Sequence, residues 1–248
     1  MKPRRATPRE PADRKVSLPH ESEHRTQVAL ACRVMAFAGL FDMHGHISLR
    51  DGEVAYINGR RSSRISVTPD QVAIVRVADG TAVSGEPPAE TPLHLGCYRA
   101  RPEIRSASHF HPLAATAFAT VGKPLITAFN AGSPFGTVVP VYDDPDLVRN
   151  DEQGRAMAKD LKDHRALLLR GHGVAVVAED IPSCVTLSLY LEENARRLAY
   201  AMTIGEPKPF TDDEIRRVTE SLWQPFVIEK TWIDAQERAR RGGALDGL

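Results

Sequence analysis

The chain has 248 residues, enough for one substantial core, and its 32 basic and 32 acidic side chains leave no formal net charge. That balance gives no footing for nucleic acid or an acidic membrane surface, so small-molecule chemistry is the open field. Cys32, Cys97 and Cys184 are far apart and form no Cys-x-x-Cys pair, which fits reduced thiols in a cytoplasm better than a disulfide framework. No stretch approaches the roughly 18 apolar residues of a membrane helix, and no apolar segment follows the basic start. The expected compartment is cytoplasmic, with no membrane and no nucleic-acid partner.

Residues 1–19 carry Lys2, Arg4, Arg5, Arg9, Arg14 and Lys15 among several prolines. That composition predicts a disordered basic tail, followed by a single domain over residues 20–248 that ends in a helical extension. Apolar residues at helical spacing (Val28, Ala31, Val34, Met35, Ala38) predict a first amphipathic helix over 24–41. The turn signals Asp51-Gly52, Asn58-Gly59 and Asp79-Gly80 then separate expected antiparallel strands at 47–50, 54–57, 64–68, 72–77 and 81–84. Pro92 opens a helix to about Ala100 with Thr91 as its cap, which puts Glu90 at the helix start, where the dipole favours a carboxylate.

The stretch Ser108-His109-Phe110-His111-Pro112 closes the next strand. Alternate side chains of a strand share a face, so His109 and His111 point together while Phe110 points back into the protein. Two neutral imidazoles on one face make a two-point metal grip that needs a third ligand. A helix is expected at 113–120, strands at 125–129 and 137–141, and a helix at 154–164. Two apolar strands, 166–169 and 174–178, are then hinged at Gly171-His172-Gly173. Glycines on both sides let the backbone turn with positive φ and let a metal or substrate come close, so His172 is the natural third ligand. His44 and His46 repeat the His-x-His spacing but flank a glycine in a turn, which leaves their directions open; His94 reads as a packing or supporting histidine. A long helix follows at 182–204, then a helix start at Thr211 and a charged segment with Trp223 and Trp232, placed either in a subunit contact or in the core.

Taken in order, Glu90, His109-x-His111-Pro112 and a Leu-rich strand running into Gly171-His172-Gly173 resemble the class II aldolase and adducin superfamily over about residues 25–205. Gly45-His46-Ile47-Ser48 falls where that family has a Gly-Asn-Ile-Ser-type loop. The resemblance implies a three-layer α/β/α fold with a central, mainly antiparallel sheet, and a homotetramer with active sites at subunit interfaces. It implies that His109, His111 and His172 hold a divalent transition metal (zinc, manganese, iron or cobalt) and that Glu90 is the catalytic acid/base. Three neutral imidazoles leave such an ion its full charge, with which it can polarise a carbonyl or hold an enediolate.

Departures from the sugar-phosphate aldolases bear on substrate. Their loop offers Asn where this chain has His46, and a Ser-Ser pair where it has Pro88-Ala89; those groups help hold phosphate, and no replacement cradle is visible. The tyrosine that donates a proton in those aldolases would fall near Phe129-Asn130, and neither residue can take that role. The resemblance is therefore to the non-phosphosugar branch: a metal-dependent carbon–carbon lyase, decarboxylase ahead of aldolase, acting on a small hydroxy or oxo acid, aromatic acids included. Gly45, His46 and Arg170 are the expected substrate-binding residues, with Arg64 as an alternative partner for a carboxylate. Two other readings fit the pattern: a ferrous oxygenase of an aromatic side chain on the same fold, and a non-catalytic, adducin-type interaction protein.

Overall fold

Eight strands form one sheet whose central members come from distant parts of the chain. In the computed structural model, which describes residues 18–248, they are β1 (His46–Asp51), β2 (Val54–Asn58), β3 (Val72–Arg76), β4 (Ala82–Ser84), β5 (Ser106–Phe110), β6 (Val141–Tyr142), β7 (Ala166–Leu169) and β8 (Val174–Ala178). Their spatial order is β4-β3-β2-β1-β5-β8-β7-β6. Every pairing is antiparallel except that of β6 with β7. All but Leu18 and Pro19 of the expected basic tail lies outside the described residues.

Strand alternation divides the sheet between two apolar layers. On one face Ile47, Tyr56, Ile74, Phe110, Leu168 and Val176 pack against α1 (Glu21–Phe37), α3 (Leu113–Thr120), α5 (Ile181–Ile204) and α7 (Pro225–Arg241). On the other, Ala55, Val75, Ala107, Leu167, Ala175 and Val177 meet α2 (Thr91–Ala100) and α4 (Asp151–Leu161). The expected three-layer α/β/α architecture with a mainly antiparallel sheet is therefore what the chain forms. A last helix, α6 (Asp212–Leu222), opens with a Thr211/Glu214 capping box. Trp223 and Trp232 are partly buried against the first layer.

Several boundaries differ from the sequence-based expectation for local reasons. The first helix ends at Phe37 because Gly39 turns with φ +72° and the Leu40 N–H folds back onto the Met35 carbonyl. α4 starts at Asp151, capped by the Asn150 side chain, which accepts the Gln153 N–H. No strand forms at 64–68: the carbonyls of Ser66 and Val67 accept from the buried Arg33 guanidinium, and Arg64 turns onto the Gly59 and Ser62 carbonyls. The strands expected at 125–129 and 137–141 reduce to an isolated bridge between Ile126 and Val138 and the short β6, because Asn194 and Thr127 take up the loop's carbonyls.

Candidate active site

Antiparallel pairing brings the start of β1, the end of β5 and the start of β8 to one end of the sheet. His46 lies directly across from His109, and His109 from Ala175. The turn from β7 to β8 delivers His172, with Gly171 at φ +65°. A Cβ on Gly173 would sit 2.6 Å from the Phe110 carbonyl oxygen and 2.7 Å from the His111 ring, so only glycine lets this turn close over the histidines. His111 leads into α3, whose first free N–H groups, those of Ala114 and Ala115, donate to the buried Glu192 carboxylate at 3.1 and 3.0 Å. A carboxylate on a helix N-terminus is a favourable pairing, and it anchors the segment just after the histidines.

The rings of His109, His111 and His172 form a triangle with centroids 4.8 to 5.3 Å apart. One nitrogen of each lies within 4.8 Å of the others. His109 donates its Nδ1–H to the Val174 carbonyl at 2.9 Å, and His111 donates its own to Asp42 Oδ2 at 3.0 Å. Both bonds fix the tautomer and leave Nε2 as a lone pair turned inward. Glu90 stands beside them at the start of α2, with Oε2 3.7 Å from His109 Nε2 and Oε1 3.6 Å from His172 Nε2. Those separations are too long for hydrogen bonds and close to the ~3.4 Å between donors that share one ion at metal–ligand distances of about 2.1 Å.

The electrostatics agree with a cation site. His109 is fully buried, and its Nε2 has no hydrogen-bond partner, an orphan that a bound ion would complete. Burial pushes the His109 imidazole well below its ordinary range and the His172 imidazole to about 4, with neighbouring histidines acting in the same sense; both imidazoles are neutral at physiological pH. Burial raises the Glu90 carboxyl, opposed by the N–H of Val148, which donates to Oε1 at 3.1 Å.

These groups open onto a cavity of 540 Å³ whose lining includes His46, Arg60, Arg64, Glu90, His111 and His172, with Met43, Pro88, Ala89 and Leu147 as apolar wall. Arg64 is 6% exposed, its Nε is buried without a partner, and among the described residues it makes no ion pair. Arg170, expected to pair a substrate carboxylate, is not brought to the cavity lining: its guanidinium is held by Asp143. Gly45 does not line it either. Its place is structural, since a Cβ there would sit 2.6 Å from the Phe41 ring. Asp42, Ser48 and Tyr98 had no role at the site in the sequence reading, and His94 stood between a packing and a supporting role. Asp42 stands two residues before His44 in a short polar loop, and His94 and Tyr98 have the (i, i+4) spacing of one helix face, so both signals were present in the sequence.

A family profile, Class II Aldolase and Adducin N-terminal domain, matches residues 26–199, and the chain belongs to that family. It is 33% identical over 234 residues to a 3,4-dihydroxyphthalate decarboxylase of Rhodococcus jostii, covering 87% of this chain and 95% of that one. A protein of the same name from Arthrobacter keyseri is 34% identical over 225 residues, 84% of this chain and 90% of the relative. Among solved structures, an L-fuculose 1-phosphate aldolase superposes with a TM-score of 0.76 at 22% identity, covering 82% of this chain and 97% of that chain. The protein is thus an enzyme of the non-phosphosugar branch, a carbon–carbon lyase whose family uses divalent metal ions. Among the described residues no helix is long and apolar enough to cross a membrane.

Proposed function

We propose that the protein removes carbon dioxide from a hydroxylated aromatic acid carrying a second carboxylate. The observation that carries this reading is Arg64, a buried guanidinium without an acidic partner, on the wall of the cavity that holds Glu90 and the histidines. A buried charge is costly unless paired, and the substrate's spectator carboxylate is the partner it lacks. Pro88, Ala89, Met43 and Leu147 offer apolar surface for a ring. The 3,4-dihydroxyphthalate named for the relatives has this chemistry: a ring, two carboxylates and adjacent hydroxyls.

In this reading His109, His111 and His172 hold the divalent ion, with Glu90 beside it, and the imidazole-rich donor set suits zinc, manganese, iron or cobalt. When bound, the ion supplies positive charge that draws electron density from the substrate's oxygens. Arg64 fixes the ring through the carboxylate that stays. Glu90, raised by burial and held by the Val148 N–H, delivers a proton to the ring carbon that bears the leaving carboxylate. The carbon–carbon bond then breaks, its electrons restore the aromatic ring, and carbon dioxide departs; Glu90 recovers its proton from water. The net change is a ring carboxylate plus one proton giving a ring C–H and carbon dioxide. Assembly as a homotetramer, with the cavity completed at a subunit interface, accords with exposed apolar side chains such as Tyr200, Ile204 and Phe226; the compartment in this reading is the cytoplasm.

The test is a metal analysis of freshly purified protein followed by a screen of dihydroxylated aromatic mono- and dicarboxylates, keto acids and sugar phosphates. Carbon dioxide release from the dicarboxylates, without oxygen uptake, is the expected result. Aldehyde release from a phosphorylated sugar, or turnover that consumes oxygen, would overturn the proposal.

A further inference from the structure

Behind the cavity runs a buried chain of four polar groups that the metal-type cluster does not use. His46 Nδ1 lies 2.7 Å from His94 Nε2, His94 Nδ1 2.6 Å from Ser48 Oγ, and Ser48 Oγ 2.6 Å from the Tyr98 hydroxyl. All four residues are at most 2% exposed. The two rings meet nitrogen to nitrogen at 2.7 Å, a contact that needs one donor and one acceptor, and so deep a burial disfavours a charge on either, so each carries one proton on one nitrogen.

Counting protons fixes their order. Three short contacts must share the protons of Tyr98, Ser48, His94 and His46, one proton to a contact. Among the described residues Ser48 Oγ is the acceptor within reach of the buried Tyr98 hydroxyl, and an O–H left unpaired in the core is costly, so Tyr98 donates to Ser48. The Ser48 proton then has two destinations: His94 Nδ1 at 2.6 Å, or the Ala107 carbonyl at 3.4 Å. A hydroxyl donor works at 2.5–3.0 Å, so it takes His94 Nδ1. His94 therefore carries its proton on Nε2 and donates to His46 Nδ1. The fourth proton is left on His46 Nε2, the nitrogen not engaged by His94, on a ring that lines the cavity.

We propose that Tyr98, Ser48 and His94 are positioning residues that lock His46 as its Nε2–H tautomer, making it a fixed hydrogen-bond donor to a substrate oxygen. A ring nitrogen of His46 lies within 4.8 Å of Glu90 and His109, a spacing that also suits a metal ligand. An N–H cannot ligate, so the ordering removes His46 from the ligand set. It also bars His46 from acting as a base: the donor meets the anionic oxygen that gains charge as the carbon–carbon bond breaks and stabilises it in place. What that oxygen belongs to rests on the proposed decarboxylation; the tautomer itself does not.

The experiment is nitrogen-15 NMR of the histidine rings in the zinc-loaded, diamagnetic protein, with metal content measured alongside. The wild type is expected to show His46 protonated at Nε2, and Tyr98→Phe, which spares the Ser48-to-His94 bond, to show the same. Ser48→Ala removes the donor to His94 and leaves the Ala107 carbonyl, an acceptor; both imidazoles are expected to reverse, with His46 protonated at Nδ1. His46→Gln, which can place an N–H at the same reach, is expected to keep a full equivalent of zinc and kcat within about tenfold, while the acceptor His46→Glu loses about 100-fold in kcat. Nδ1 protonation in the wild type, an unchanged tautomer in Ser48→Ala, or loss of zinc in His46→Gln would each overturn the proposal. A correct tautomer with no carbon dioxide from any aromatic acid would instead count against the proposed reaction.

Discussion

Two groups of histidines share one wall of the site, with the rings of His46 and His109 only 5.0 Å apart, yet they are prepared for different work. In the outer group, His109 and His111 spend Nδ1–H on a backbone carbonyl and a carboxylate, and their inward nitrogens are left with lone pairs. In the inner pair, His46 and His94 bond to each other, and a serine and a tyrosine complete the chain. Burial keeps His109 of the outer group, and both rings of the inner pair, neutral. In the roles proposed for them, what separates ligand from donor is where the second nitrogen is committed.

The largest expected effect breaks the outer group. His109→Ala is expected to lose the bound metal and at least ~10³-fold in kcat/KM, since it removes charge stabilisation at the reacting oxygens. Full metal occupancy with wild-type turnover would end the ligand assignment. Glu90→Gln keeps the shape and the Val148 bond but cannot deliver a proton. It is expected to retain metal while kcat falls by about 10²- to 10⁴-fold, and metal loss in this variant would recast Glu90 as principally a ligand.

A smaller effect contrasts two arginines of the same sequence. Arg64 is buried at the cavity without an acidic partner, whereas Arg170 is half exposed and paired with Asp143. For Arg64→Met the KM for an aromatic dicarboxylate is expected to rise about 100-fold, the value of a charge-assisted bond of about 2–3 kcal/mol. Its unfolding midpoint should fall, since the Gly59 and Ser62 carbonyls lose their donor at a cost of about 1–3 kcal/mol, so KM is measured well below that midpoint. Arg170→Ala should change KM by less than about twofold. Equal KM values in the two variants would remove the carboxylate seat from Arg64.

The same contrast explains what the sequence made legible. His109, His111 and Gly-His172-Gly could be read because strand alternation and a glycine-flanked turn leave few directions for a side chain, and the structure brings them together with Glu90. The sheet's hairpins followed from turn pairs such as Asp51-Gly52. The loop at 59–68 did not, because its carbonyls are satisfied by Arg33 and Arg64 from different parts of the chain, a tertiary event with no local signature. Arg170 was expected to pair a substrate carboxylate, but the turn carries its guanidinium to Asp143 instead. The inner chain joins β1 to α2 over some 46 to 50 positions, so its residues stood in the sequence while their contact did not.

The smallest effect tests the inner pair through stability. Burial lowers the His94 pKa from 6.5 in the unfolded chain to about 3 in the folded one. Below pH 6.5 the unfolded chain therefore binds a proton that the folded chain does not, and folding weakens as pH falls; above 6.5 neither form binds it and the contribution is flat. The slope for this one group is about 1.4 kcal/mol per pH unit between roughly pH 6 and 4. Measured by denaturant unfolding in chelator-treated protein, so that acid release of metal from the outer histidines does not enter, the wild type is expected to lose stability more steeply over that range than His94→Asn. The two curves should run parallel above pH 7. Parallel curves throughout would mean that His94 becomes charged in place, and the inner pair could not then hold the single proton order that sets it apart from the outer group.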